Sequence, residues 1–415
     1  MDQNRSDHMK PRYRKEAAAS GHTYMPLKTR QETPSGYTYM PLKTRQIKES
    51  AKQAGYVDLG LLCIVLILVG FGLVMLYSTS AYNGQIKFQD AAYYLKKQLF
   101  ATILGVGVMM VVANIDYHFW EKFAVLAYIV SLILSGLVLV VGSEINGSKR
   151  WLALGPLSFQ PSEYAKVAVI LFLAFLIGRN VKRMGKIKTM FLIMLSILPI
   201  VGLVGTNNLS TAIIILGIAV ILIFVASPKY MQFIGMGALG VGFIAIFLSL
   251  ESYRLERLAI WRNPEAYEKG YQTLQGLYAI GSGGVFGRGL GESMQKLGFV
   301  PEAQNDMIFS IICEELGLVG AVLVILLFLL LIWRLMVIAG NATDLFGALI
   351  VTGIMGHMAI QVILNIAVVT NTIPNTGITL PFISYGGTSV LFLLAEMGLA
   401  LSISSQVKEV SPPKA

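Results

Sequence analysis

The fold class this sequence predicts is an all-α polytopic membrane protein of ten transmembrane helices, and three observations predict it. Of 415 residues, 55% are hydrophobic and 13% charged, with mean hydropathy +0.66; soluble domains carry roughly a quarter charged residues. Charge-free runs recur at the length of about 20 residues that a helix needs to cross hydrocarbon. Lys and Arg crowd one set of connecting segments, and residues 1–57 alone hold eleven of the chain's 33. Cytoplasmic flanks carry that excess and face an anionic leaflet. The net charge of +10 therefore reads as topology and not as nucleic-acid binding. Cys63 and Cys313 lie in apolar runs and the four histidines are scattered, so neither a disulfide framework nor a metal centre is legible.

Taken in order, residues 1–55 form a basic tail in which GHTYMPLKTR (Gly21–Arg30) returns as GYTYMPLKTR (Gly36–Arg45). A tail so polar reads as disordered. No cleavable signal is visible behind it, so the first span is expected to serve as an anchor. Residues 56–406 are expected to be the ten-span domain and 407–415 a second cytoplasmic tail. The expected spans are Leu59–Tyr77, Gln98–Ala113 and Phe123–Gly142, then a fourth ending at Arg179. A fifth and a sixth divide Thr189–Pro228 at Gly205–Asn208, and the rest are Met231–Leu250, Met307–Trp333, Leu345–Thr370 and Thr388–Ser405. Ten spans put both termini on one side. With that side cytoplasmic, 21 of the 33 cations fall inside, as the positive-inside rule requires. The large loop between spans seven and eight, Glu251–Asp306, then faces outward, together with Ser143–Ser162 and Asn371–Gly387.

Three outward segments carry the candidate site. Asp306 ends a Pro-broken loop and enters an apolar helix; taken alone it reads better as an N-cap. Glu314 and Glu315 follow two turns on, and acids at membrane depth mark function unless they are partnered. The fourth span is too short: counting about 20 residues back from Arg179 places Glu163 and Lys166 below the outer surface. Three residues apart, they can pair on one helix face, either as a lock for the bundle or as a charged pocket. Lys149, Arg150 and Trp151 put two cations and an interfacial ring just before that span. The cations suit a polyanion such as a pyrophosphate, while the ring alone reads as a belt anchor. Asn371–Thr388 (NTIPNTGITLPFISYGGT) has prolines, glycines and hydroxyls but no charge. It reads as a re-entrant turn or as backbone lining a cavity, with Ser384 its candidate substrate-binding hydroxyl. The glycine-rich run Tyr271–Gly291 lacks Walker spacing and is expected to hinge the large loop.

These stretches together resemble the SEDS family of bacterial peptidoglycan glycosyltransferases. The resemblance rests on GSKRWLALGPLSFQPSE (Gly147–Glu163), GYQTLQGLYAIGSGG (Gly270–Gly284), GRGLGESMQKLGFVPEAQNDMIFSIICEELG (Gly287–Gly317) and GITLPFISYGGTS (Gly377–Ser389). It covers about Asp58 to Gln406. One departure is Asn207-Asn208-Leu209-Ser210, where many members carry Pro-Asp-Leu-Gly, so a carboxylate role there has no support. The resemblance implies a lipid II polymerase at the outer face of the bacterial plasma membrane, with Asp306 as catalytic base. Lys149, Arg150, Trp151, Glu163, Lys166 and Ser384 would then bind substrate, and Lys149, Arg150 and Lys166 would meet the departing pyrophosphate. It also implies a class B penicillin-binding protein as partner, divisome proteins for a division role at the septum, and no cofactor beyond a possible Mg or Mn ion. A flippase or a non-catalytic scaffold are the competing readings; no pair of interrupted helices in matching halves favours a transporter.

Overall fold

The computed structural model describes residues 57–145, 148–154, 157–229, 237, 242 and 252–407, all within the compact unit Gln53–Ala415. The basic tail with its repeat, the expected span Met231–Leu250 except Gly237 and Gly242, and the C-terminal tail lie outside the described residues. Among the described residues nine helices are long and apolar enough to cross a membrane. They are α1 (Leu59–Phe88), α2 (Tyr93–Asn114), α3 (His118–Val141), α4 (Pro161–Asn180), α5 (Ile187–Asn207), α6 (Leu209–Ala226), α9 (Ile308–Asn341), α10 (Leu345–Val369) and α11 (Gly387–Ser404). Two helices of the large loop, α7 (Ser252–Arg262) and α8 (Tyr271–Gly283), complete the set.

Helix α4 lies at the centre, with Ala165, Val169, Leu173 and Ile177 fully buried. Pro161 occupies its first turn, where a missing N–H costs nothing. Helices α2 and α11 pack backbone to backbone. A Cβ on Gly398 would lie 2.6 Å from Met109 O, and one on Gly105 would lie 2.7 Å from Leu394 Cδ1. Such close approach is how helices associate where lipid removes the hydrophobic drive.

The ends of the bundle sort onto two sides. On one, Asp58 caps α1 through Leu61 N at 2.8 Å, pairs with Arg334 at 2.9 Å, and its N–H donates to Ser404 Oγ at 3.2 Å. The start of α1 and the end of α11 therefore meet. Tyr117 donates to Asp344 at 2.9 Å on the same side, tying the starts of α3 and α10. Asp306, the turn after α10 and the strands lie at the other end.

Three sequence expectations are corrected here. Residues 143–162 are not a plain loop in an all-α protein: β1 (Ser143–Ile145), β2 (Ser148–Leu154) and β3 (Leu157–Phe159) form an antiparallel sheet, with Glu144 opposite Lys149 and Leu152 opposite Phe159. In the sequence Asn146-Gly147 and Gly155-Pro156 stand between the strands, a hairpin signal that composition alone conceals. Helix α1 runs on past Tyr77 to Phe88, because polar Ser78 and Asn83 find partners on other elements. The glycine-rich run does not stand as a free hinge. A Cβ on Gly283 would strike Cys313 O and one on Gly287 would strike Glu315 O, so these glycines let the loop pack on α9.

Candidate active site

Helix α9 is broken at Gly317, with φ 67° and ψ −164°, a conformation that glycine alone adopts readily. The carbonyls of Glu314 and Glu315, which the break frees, accept from Arg288 N at 2.9 Å and Gly289 N at 3.0 Å. Leu318 N and Val319 N donate to Gly284 O and Val285 O at 3.0 and 3.1 Å. The loop after α8 is thereby stitched into the break. Both acids above it are fully buried and fully engaged. Glu314 accepts from Ser293 Oγ and from Met294 N at 3.1 Å. Glu315 takes Lys296 Nζ at 2.7 Å and Ser78 Oγ at 2.7 Å. They are latches between the loop, α1 and α9.

Asp306 is different. It is not the N-cap of α9: that position is Met307, which makes no side-chain cap. Its carboxyl receives Gln272 Nε2 of α8 at 3.4 Å and makes no ion pair among the described residues. Gln272 is steered in turn by Asn375 Nδ2 at 3.2 Å, and Arg257 of α7 grips Asn375 O at 2.9 Å. Gly377 sits opposite, where a Cβ would come within 3.8 Å of Asp306 Oδ2. Part of the Asp306 surface stays open, yet the surrounding chain is dense. Burial pushes its carboxyl up to about 6, and Glu302 adds to the rise against its own backbone N–H, Arg257 and Gln272. A helix N-terminus, which would hold the value down, does not govern this site. A carboxylate so tuned is a better base near neutrality.

One face of α10 ties this acid to the rest. Asn365 Nδ2 donates to Asp306 O at 2.8 Å and to Ile378 O at 2.7 Å. One turn earlier Gln361 Nε2 donates to Thr379 O at 3.0 Å, and its Oε1 receives Lys166 Nζ at 3.1 Å. Lys166 pairs with Glu163 at 3.0 Å, and both are buried. The segment after α10, Asp306 and the α4 pair are thus held on consecutive turns of one helix.

The remaining sequence candidates spread out. Arg150 Nε donates to Asn207 O at 2.8 Å, at the α5–α6 junction. There Asn208 caps α6 through Thr211 N at 3.2 Å, so the amide in place of an acid still serves as a cap. Trp151 is half-buried opposite Ser143 on the sheet. Lys149 faces Glu144 by strand register, and its side chain lies outside the described residues. Ser384 is buried and its Oγ accepts from Leu380 N at 2.8 Å, closing the turn before α11. Sequence reasoning missed Arg257, Gln272, Gln361, Asn365 and Asn375. The polar residues at Gln361 and Asn365, four apart in an apolar span, were the available signal.

An apolar groove of about 460 Å³ opens between α2, α3, α4 and α11, lined by Trp120, Phe123, Leu126, Tyr164, Leu171 and Phe392 among others. Phe392 also meets Phe159 of β3 edge-on at 6.0 Å. The groove therefore reaches the sheet that carries Arg150.

Known proteins match this architecture over nearly the whole described chain. The family of FtsW/RodA/SpoVE cell cycle proteins matches residues 59–409. Stage V sporulation protein E of Bacillus subtilis is 40% identical over 84% of this chain and 96% of its own. The "Probable peptidoglycan glycosyltransferase FtsW" of Trichlorobacter lovleyi is 38% identical over 85% of this chain and 94% of its own. Among solved structures, a peptidoglycan synthase complex that coordinates polymerization and crosslinking superposes with TM-score 0.72 at 31% identity, covering 85% of this chain and 99% of the other. The rod shape determining protein RodA of Thermus thermophilus gives TM-score 0.63 at 30% identity, over 85% and 98%. The chain belongs to the FtsW/RodA/SpoVE family, the SEDS proteins of bacterial cell-wall synthesis.

Proposed function

We propose that this chain is a lipid II polymerase with Asp306 as its general base. The observation that carries this reading is the Asp306 carboxyl itself: partly open, free of any ion pair among the described residues, and raised to about 6. In the proposed step Asp306 takes the proton of the acceptor's 4-hydroxyl. That oxygen attacks the anomeric carbon of the donor sugar. The bond from that carbon to the phosphate oxygen breaks, its electron pair leaves with undecaprenyl pyrophosphate, and the configuration inverts. One base suffices because a pyrophosphate departs without a strong acid, unlike the leaving groups met by paired-carboxylate hydrolases.

The apolar groove supports a polyprenyl tail, and its contact with the sheet supports a headgroup role for Arg150, Lys149 and Trp151. Lys166 is too buried to touch substrate in this state, so it acts through its field until the site opens. Ser384 shapes the turn that lines the site. Among the described residues no group of three or more His, Cys, Asp or Glu gathers as it would to hold a metal ion.

Ten spans with cytoplasmic termini belong to the same proposal. The contact between the start of α1 and the end of α11 supports an even number of crossings, and ten is the proposed count. The site then faces outward. The superposed synthase complex supports a crosslinking partner, a class B penicillin-binding protein. Division at the septum is the role proposed here. The likeness to a sporulation protein favours a second reading, which a tagged copy distinguishes by gathering at vegetative septa or only in sporulating cells. The test of the activity is strand formation from lipid II by the purified chain with its partner synthase. Asp306→Asn should lower it by about 10²–10⁴-fold, and an undiminished yield would move the chemistry elsewhere. A flippase would instead move lipid II without forming strands.

A further inference from the structure

Four ionisable side chains lie buried beneath the candidate site, in two pairs. Glu163 and Lys166 of α4 meet at 3.0 Å, and His357 of α10 meets Glu396 of α11 at 2.9 Å. The reaction as written uses only Lys166. Gln361 stands between the pairs: its Oε1 lies 3.1 Å from Lys166 Nζ and 2.8 Å from His357 Nε2, while its Nε2 donates to Thr379 O at 3.0 Å. The partners fix this amide's orientation, because an ammonium only donates and a carbonyl only accepts. His357 Nε2 must therefore carry a hydrogen. The Glu396 carboxyl on Nδ1, 2.9 and 3.0 Å from its two oxygens, enforces that state. Whichever side of this contact holds the proton, Nε2 keeps its own.

We propose that His357 and Glu396 are positioning residues for Lys166, acting through Gln361. They hold its amide in the one orientation that both accepts from the ammonium and grips the segment after α10. The proposal rests on the reading that Lys166 favours departure of the pyrophosphate. Without the Glu396 carboxyl, the imidazole is free to place its hydrogen on Nδ1. Its Nε2 would then turn a lone pair toward Gln361 Oε1, and relief requires the amide to flip. A flipped amide points its NH₂ at the Lys166 ammonium and its oxygen at Thr379 O, so both contacts fail together. Asn365, one turn on, holds Ile378 O and Asp306 O. The displacement would thus propagate from the cation to the base along a single helix face.

The experiment measures initial rates of strand formation by the full chain with its partner synthase across lipid II concentrations, normalised to folded protein. Glu396→Leu should lower kcat by about 10–100-fold, the scale of a misplaced catalytic group, with KM changed by less than about twofold. Glu396→Gln keeps a donor for Nδ1 and should restore kcat to within about threefold of wild type. In a Gln361→Met background, Glu396→Leu should add nothing. If Glu396→Leu does not fold, Gln361→Met alone reads the same link and should show the same loss in kcat. A wild-type kcat in Glu396→Leu or Gln361→Met, a Glu396→Gln no better than Glu396→Leu, or strict additivity would overturn the proposal. Lys166→Met separates the two layers. If it retains wild-type kcat, the role of Lys166 fails and this inference with it; if it is crippled while Glu396→Leu is not, only this inference fails.

Discussion

Asp306 and Glu315 lie nine residues apart at the entrance to one helix, and the structure treats them in opposite ways. Glu315 is fully buried, held by Lys296 and Ser78 within 2.7 Å. Asp306 keeps an open edge and a long side-chain contact from Gln272. A buried charge with its partner gives shape; a carboxyl left short of partners, with its pKa raised, is available for proton transfer. The proposed base is the acid that is satisfied less.

The contrast can be broken or sharpened by substitution, and the largest effect on folding is expected at the latch. Glu315→Gln strips the charge partner from Lys296 and should destabilise the folded protein by about 3–5 kcal/mol, read as lost yield of monodisperse protein and a lower Tm. Glu315→Leu combined with Lys296→Leu should recover part of that loss, and a double variant worse than either single would contradict the pairing. The Glu163–Lys166 pair comes next. Each single alanine variant should cost stability, with the double variant milder than the sum, and additive costs would mean that the 3.0 Å contact carries no coupling.

A smaller effect of opposite sign is expected at Asp306. Its folded pKa of about 6 lies above the ordinary aspartate value of 3.8. Stability from such a group is fully present below the unfolded value and is lost as pH rises through the folded one. Asp306→Asn should therefore be more stable than wild type at neutral pH, by about 1 kcal/mol once partial exposure is discounted, with the gain gone below about pH 4. A Tm that falls on substitution at neutral pH would restore Asp306 to a structural role. The smallest effect is expected from the tail: a chain starting near Ile47 should polymerise at close to the wild-type rate, since the family match begins at residue 59. A large loss of turnover with intact folding would refute that.

Much of this was legible in the sequence because bilayer physics is one-dimensional: uncharged length, positive flanks and a shortened fourth span placed the helices and the Glu163–Lys166 pair. The sheet after α3 was not legible from composition, although Asn146-Gly147 offered the signal. Asp306 was singled out, but its environment was misjudged. From sequence it looks like a helix cap; in three dimensions Met307 takes that position and α7, α8 and the segment after α10 close around the carboxyl. Gln361 and Asn365 were passed over because a single polar residue in an apolar helix shows no partner until α4 and the segment after α10 are folded against it. Glu314 and Glu315 were read as markers of function, and only the loop wrapped into the Gly317 break reveals them as latches.

The most direct test of the account compares Asp306→Asn with Glu315→Gln in strand formation from lipid II, each rate divided by the amount of folded protein. Asp306→Asn should be well folded and slower by about 10²–10⁴-fold. Glu315→Gln should be scarce, yet close to wild type per folded molecule. A folded, active Asp306→Asn beside a folded, inactive Glu315→Gln would exchange the two roles and contradict the assignment of the base.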